Sequence, residues 1–385
     1  MLEVDRAQVL AFRLSRHHLV HRLPAGSLPE AAAAAGIQET PGRTAAVALH
    51  ARVAGVTLAG LDRALRQDRS LLAAWAMRGA PYLVPTPDAG VFTTGAQPVG
   101  EESLRVFFGG WTASLAPVGV PLGELVTRAA AAAYQVLDGR QLPVDDLRHG
   151  IADRLPEIRG LTRPSGAHAD LPEPLFRAAG QSGGVCIADT RRMTDALVAR
   201  TDQWLGRSPP EPDAAAVRAE LLRRYLRCYG PSSPQAFAEW TLRGLADVRE
   251  VVAALGPELV EVRADGSVGM LLGADLEALE SPPEPSGARL LPAHDPYLQQ
   301  RDRERLLPDR EQRRRLWRPV GAPGLVLLDG QAAGTWTSRR AGRTLRVTVE
   351  PFGLLSGPAR RAVAAEADRI APLRGADRAA LEVGG

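Results

Sequence analysis

One order of local elements occurs three times along this chain, and it limits the possible folds more than any other feature. Each occurrence reads as an amphipathic helix, a glycine-containing break, a proline opening a second helix, and a third helix running into a short β-like stretch. The first has a helix over Gln8 to Val20, then Gly26-Ser-Leu-Pro29 opening Glu30–Ala35, then Thr44–Val53, Leu58–Arg66 and the extended segment Trp75–Val84. In the second, Leu125–Leu137 reaches Asp138-Gly-Arg-Gln-Leu-Pro143, Val144–Leu155 follows, and Glu173–Ala179 runs into Gly183-Gly-Val-Cys-Ile-Ala188. The third joins Ala214–Tyr229, Gly230-Pro-Ser-Ser-Pro234, Gln235–Leu242 and Ala246–Leu255 to the alternating segment Leu259–Val268, which has Asp265-Gly266 at a hairpin turn.

Proline is favoured at a first helical position, where its missing N–H would have no partner, and glycine before it permits the change of direction. Helix, turn, helix, helix, hairpin is the order of a winged helix. In such a unit one helix can enter the major groove while the hairpin reaches the backbone or minor groove. Helix triplets also occur in proteins that bind no DNA, so the repeat alone leaves DNA binding and a protein-interaction scaffold both open. Ser281-Pro-Pro-Glu-Pro-Ser-Gly287 reads as a linker. Beyond it, Arg289–Pro292, Gly324–Leu328, Gly334–Thr337 and Thr344–Val349 predict a small antiparallel sheet or barrel, closed by an amphipathic helix Gly357–Ile370. The expected fold is mainly α with β (α+β). Three tandem winged-helix units are expected at 1–120 (with the N-terminal helix), 121–212 and 213–280, then a small antiparallel β-barrel with its helix at 281–385.

A length of 385 residues suits such a division, at about 100–200 residues per domain. With 45% hydrophobic and 24% charged residues the composition is that of a globular chain. No stretch approaches the ~20 apolar residues of a membrane helix, and Met1-Leu-Glu-Val-Asp5 lacks a signal pattern, so a cytoplasmic protein with no membrane partner is expected. Cys186 and Cys228 are too few for a disulfide framework or a cysteine zinc site, and His17 and His21, one helical turn apart, lack a third ligand. Neither metal nor cofactor is expected. Gly109-Gly110 and Gly183-Gly184 are not followed by the residues of a P-loop, and no Gly-x-Ser-x-Gly elbow occurs.

All 47 basic residues are arginines, and the net charge of +3 is too small to name a partner by itself, so their distribution has to decide. Arg301–Arg305 and Arg310–Arg318 interleave acids, as a solvated helix does, whereas Arg339, Arg340 and Arg343 sit at a hairpin tip without an adjacent acid. Such a tip suits phosphates or a minor groove. Two further segments combine polar groups with Gly or Pro between apolar runs: Gly36-Ile-Gln-Glu-Thr-Pro41 and Leu290-Leu-Pro-Ala-His-Asp-Pro-Tyr297. Each reads either as a site loop or as an ordinary turn, with Asp295 as a cap in the second.

In that order, Gly36–Pro41 followed by Ala45–Arg52, then Trp75-Ala-Met-Arg-Gly79, Leu290–Tyr297 and Leu328-Asp-Gly330 with Gly334-Thr-Trp336, the chain resembles a known family. It is the bacterial winged-helix DNA glycosylases that excise alkylated purines and unhook cross-links. The resemblance runs from about residue 8 to residue 370. It implies three winged helices braced by a β-barrel, double-stranded damaged DNA as partner, and monofunctional hydrolysis of the N-glycosidic bond of N7- or N3-alkylated or bulky-adduct purines. The family's signature is Gln-x-Gln or Gln-x-Asp before the second helix. Gln38 matches its first position and Thr40 occupies the second, where a hydroxyl can hold water but is no general base near pH 7. Glu39, at the usually apolar middle position, is expected to face solvent, and would supply a carboxylate only if the loop turned it inward. The family's Arg-Gly-Thr-x-His becomes Arg78-Gly79-Ala80-Pro81-Tyr82.

The resemblance thus gives Gln38, Glu39 and Thr40 as candidate catalytic residues. It gives Arg43, Arg52, Arg78, Tyr82, His294, Asp295, Tyr297, Arg339, Arg340 and Arg343 as candidate DNA contacts. The expected protein is a nucleoid-associated monomer. A non-catalytic DNA-binding protein on the same scaffold, a lesion binder or regulator, is the alternative.

Overall fold

In a computed structural model, residues 1–40, 43–158, 160–161, 171–189, 196–207 and 212–384 are described. The chain is mixed α and β, with helix predominating. Many expected helices form within a few residues of their predicted ends, among them Leu28–Ala35, Thr44–Arg52, Leu58–Arg66, Ala214–Tyr229 and Gly357–Ile370. Pro29 lies in the first turn of its helix, and Thr57 caps the Leu58–Arg66 helix by accepting the Gly60 N–H. The extended segment predicted at Trp75–Val84 is two strands, Leu71–Trp75 and Pro81–Pro85, paired antiparallel.

The chain divides into two compact units, neither of them contiguous in sequence: Met1–Gln67, Arg224–Ser233 and Glu258–Gly385 form one, Asp68–Arg223 and Pro234–Pro257 the other. The first unit carries a smaller and a larger sheet. In the smaller, Leu2–Val4 runs parallel to Leu259–Ala264, which turns back into Ser267–Leu272 through Asp265 and Gly266, both at positive φ as a two-residue hairpin requires. The larger sheet has five strands in the order Ala288–Leu291, Gly324–Leu328, Gln331–Ala341, Thr344–Pro351 and Arg378–Val383. An antiparallel barrel was the expectation here. The first four strands are antiparallel, but the fifth lies parallel to Thr344–Pro351, and among the described residues the ladder ends on it. The reason is the helix Gly357–Ile370 between them: a strand–helix–strand crossover returns the chain in its original direction.

This sheet shares its core with the N-terminal helices. Val47 packs with Leu290, Val326, Trp336 and Val363, while Leu10, Leu14 and Ala51 pack with Leu291, Tyr297 and Leu325. Arg13, 1% exposed, ties the same helices to distant loops by donating to the carbonyls of Gly230 and Pro231, to Gln300, and through both guanidinium ends to Asp302.

In the second unit, the helices Leu122–Val136, Val144–Ala152 and Glu173–Gly180 accompany a three-stranded sheet in the order Leu142–Pro143, Leu197–Arg200 and Val185–Asp189. Trp75 meets Phe176 edge-on, and Gly180 permits the approach, since a Cβ there would stand 3.1 Å from the indole. Gln181, wholly buried, donates to the Ala76 carbonyl.

Candidate active site

The loop between Leu28–Ala35 and Thr44–Arg52 belongs to the first unit and carries the three candidate catalytic residues. Gly36, at φ 68°, lets the chain leave one helix and extend through Ile37–Gln38. Pro41 of the sequence motif lies outside the described residues. Arg43 is exposed and left-handed at φ 61°, and the helix starts immediately after it. Because Val47 and Ala51 are fixed in the core against the large sheet, the N-terminus of this helix is a rigid support for the loop.

Glu39 is only 6% exposed, which corrects the expectation that it faces solvent. Its carboxyl group lies at the helix N-terminus, where the Thr44 hydroxyl stands 3.4 Å from Oε1. Burial pushes this carboxyl up to about 7, although hydrogen bonds from the backbone N–H groups of Thr40, Ala45 and Thr44 favour its charged form. Among the described residues no guanidinium is within ion-pair distance of it, while Arg374 feels its field from the short helix Ala371–Arg374. The Thr44 hydroxyl also accepts the Thr40 N–H at 2.9 Å and lies 2.7 Å from the Thr40 hydroxyl. Thr40, Thr44 and Glu39 are therefore joined in one hydrogen-bonded chain that ends on a carboxyl group titrating near neutrality.

Gln38 is held separately. Gln299 donates from Nε2 to Gln38 Oε1 at 3.1 Å and to the His294 carbonyl at 3.2 Å. The two polar segments singled out in the sequence are thus brought together by Gln299. Neither Thr44 nor Gln299 was identified from sequence. Thr44 reads as an ordinary helix-start threonine, and Gln299 lies two residues past the motif, so only the contact across the fold marks them.

Four candidate DNA contacts face inward, and their roles are corrected accordingly. Arg52 and Asp295, each 1% exposed, form a two-pronged ion pair at 2.8 and 2.7 Å, and Arg52 also donates to the Ala48 carbonyl. Asp295 additionally caps Pro296–Gln299 by accepting the Tyr297 N–H, the structural reading offered from sequence. Tyr297 is buried against His17, whose ring has Tyr229 on another side, so His17 is enclosed by aromatic rings. In the second unit Tyr82 is fully buried and receives a hydrogen bond from Arg78, which also donates to the Trp240 carbonyl. The polar groups of Arg52, Asp295 and Tyr82 are occupied inside the protein, whereas Tyr297 is held by its ring contacts. Arg43, His294, Arg339, Arg340 and Arg343 are exposed. Arg343 does have a compensating acid, Asp377, which the sequence places far away and the fifth strand brings alongside.

The comparisons agree with this architecture. The sequence profile described as DNA glycosylase AlkZ-like matches residues 31–373, and the chain belongs to that family. A curated relative, the interstrand DNA cross-link repair glycosylase of Streptomyces sahachiroi, is 26% identical over 338 residues, 86% of each protein. The solved structure of the Streptomyces sahachiroi DNA glycosylase AlkZ has the same fold, with a TM-score of 0.76 and 23% identity over the whole of both chains. Among the described residues no helix is long and apolar enough to cross a membrane.

Proposed function

We propose that this protein is a monofunctional DNA glycosylase that hydrolyses the N-glycosidic bond of N7- or N3-alkylated or bulky-adduct purines, using Glu39 as base through Thr44 and Thr40. The relative's printed role in cross-link repair favours the bulky end of that range. A bulky lesion of this kind also fits protection of an antibiotic producer's own DNA. The proposed scaffold is three winged helices at 1–120, 121–212 and 213–280 with a sheet unit at 281–385, acting on double-stranded DNA as a monomer. Exposed Arg43, His294, Arg339 and Arg340 would meet its backbone.

The supporting observation is the inward carboxyl of Glu39 at the end of the Thr40–Thr44 hydroxyl chain. An alkylated purine is already cationic, so its departure with the bonding electron pair neutralises the ring and needs no acid. The attacking water forms a bond to C1′ as C1′–N9 breaks. Its proton passes to the Thr40 hydroxyl, whose proton passes to Thr44 and from there to Glu39. The Gln38 amide, oriented by Gln299, holds the water or the sugar, and the ionised carboxylate stabilises the sugar cation. An ordinary carboxylate would be a weak base for this step, and one raised to about 7 is better matched to neutral pH.

Single-turnover release of purine from N7-alkylated duplex tests the proposal. Glu39→Gln is expected to slow release by about 10²–10⁴, the usual contribution of a positioned base. The wild-type rate should rise with pH and level off above about 7. Wild-type protein that releases no base from any alkylated duplex would sink the proposal in favour of a non-catalytic lesion binder, a reading to which the Thr40–Thr44 pairing gives some weight because it occupies the second signature position.

A further inference from the structure

The second unit holds a separate pocket of about 440 Å³ whose polar walls include Arg69, Arg140, Gln141, Gln203 and Trp204. Arg69 lies just before the strand Leu71–Trp75, with φ 48° and with its carbonyl accepting the Thr86 hydroxyl, so its backbone is held. Its guanidinium lies over the Trp204 ring, 5.4 Å from the centroid, and its buried Nε has no hydrogen-bond partner. Among the described residues Arg140 donates only from Nε, to the Val136 carbonyl, and the residue is exposed.

This differs from the treatment of other arginines in the same unit. Arg128 pairs with Glu157, Arg148 and Arg177 with Glu173, and Arg243 with Asp247. The acids around the pocket, Asp138 and Asp202, are both taken by Arg200, with Gln203 also donating to Asp138 and Tyr134 to Asp202. Among the described residues, two guanidiniums without a carboxylate partner therefore line one cavity beside a half-buried indole.

We propose that this pocket binds a nucleotide unit, its phosphate between Arg69 and Arg140 and its base against Trp204. Guanidinium groups match phosphate oxygens in geometry and charge, an indole offers a stacking face to any base, and the Gln141 amide can meet a base edge. The volume is in the range of small-ligand sites, which runs from about 300 to 1,000 Å³. The same chemistry is presented by a free mononucleotide and by an unpaired stretch of DNA. The proposal does not depend on base excision.

The test is titration of the full-length protein, by calorimetry and tryptophan fluorescence, with dTMP, thymidine, inorganic phosphate and a short unpaired oligothymidylate. Saturable binding of dTMP or the oligonucleotide is expected, with thymidine and inorganic phosphate each at least about tenfold weaker, since each lacks one of the two recognised parts. Binding of the oligonucleotide alone assigns the site to a DNA strand, and comparable binding of dTMP to a free nucleotide. Arg140→Gln should weaken binding about tenfold. This exposed residue has one bond to the fold, so an unchanged melting temperature verifies that the variant is folded. Trp204→Phe should remove the fluorescence response while calorimetry still detects binding. Absence of saturable binding by either ligand, or affinity unchanged in Arg140→Gln, overturns the proposal.

Discussion

Two glutamates of the first unit, Glu39 and Glu366, are 6% and 1% exposed, yet they titrate in opposite directions. Burial raises both. For Glu366 it is overcome by the hydrogen bond from His50, the charges of Arg22 and His50, and the bond from Arg369, so this carboxyl is held below its usual range. Glu39 has backbone N–H groups and one hydroxyl instead, and burial wins. Asp295, clamped by Arg52, belongs with Glu366 in having a cationic partner. The difference teaches that burial alone does not set the direction in which a carboxyl group shifts; the partner does. A guanidinium fixes the charge, whereas neutral donors at a helix end leave the proton exchangeable near pH 7.

The comparison breaks most visibly if a paired carboxylate is removed. Asp295→Ala strands the Arg52 guanidinium inside the core and should cost about 3–5 kcal/mol in urea unfolding, with much of it recovered when Arg52→Met is added. An unchanged midpoint would remove the distinction. Next come the two glutamates, whose replacement should give opposite pH dependences. The raised Glu39 stabilises the fold below pH 4.5, and that contribution is lost as pH rises through about 7. Glu39→Gln should therefore be more stable than wild type at pH 8 by on the order of 1–3 kcal/mol, and nearly equal to it at pH 4. The lowered Glu366 contributes above pH 4.5 and loses its contribution in acid, so Glu366→Gln should cost about 1.5–3 kcal/mol at pH 7 and progressively less as pH falls.

Thr44→Val sharpens the role of the neutral donors. Losing a hydroxyl that favours the charged form of Glu39 should move the midpoint of the pH–rate profile upward, slow base release by breaking the proton path, and cost about 1 kcal/mol of stability. A rate and profile identical to wild type would mean that the hydroxyl chain carries no proton. The smallest effect marks the floor of the series. Arg343 and Asp377 form an exposed pair, and Arg343→Gln should change thermal stability by under about 0.5 kcal/mol.

The helices were legible because each carries its own signals: proline at the first turn before Glu30, a capping Thr57, Asp265-Gly266 at a hairpin. The final strand Arg378–Val383 was not, since its pairing is set by a neighbour 34 residues earlier rather than by its own short alternating sequence. The family signature named Gln38, Glu39 and Thr40 as candidates, and of these Glu39 was expected to point outward, whereas it is buried.

What the sequence by itself determined was the order of helices and hairpins, the absence of lysine, and a Gln-Glu-Thr loop in the place of a glycosylase signature. Tertiary structure alone decided which charges meet. It paired Arg52 with Asp295 and Arg343 with Asp377, joined Gln38 to Gln299, and left Glu39 buried with no arginine in ion-pair distance among the described residues. The reason is physical: secondary structure follows from local torsions and short-range periodicity, which neighbouring residues encode. The proton affinity of a carboxyl group depends on burial and on charges within a few ångströms, which come from segments up to hundreds of residues away.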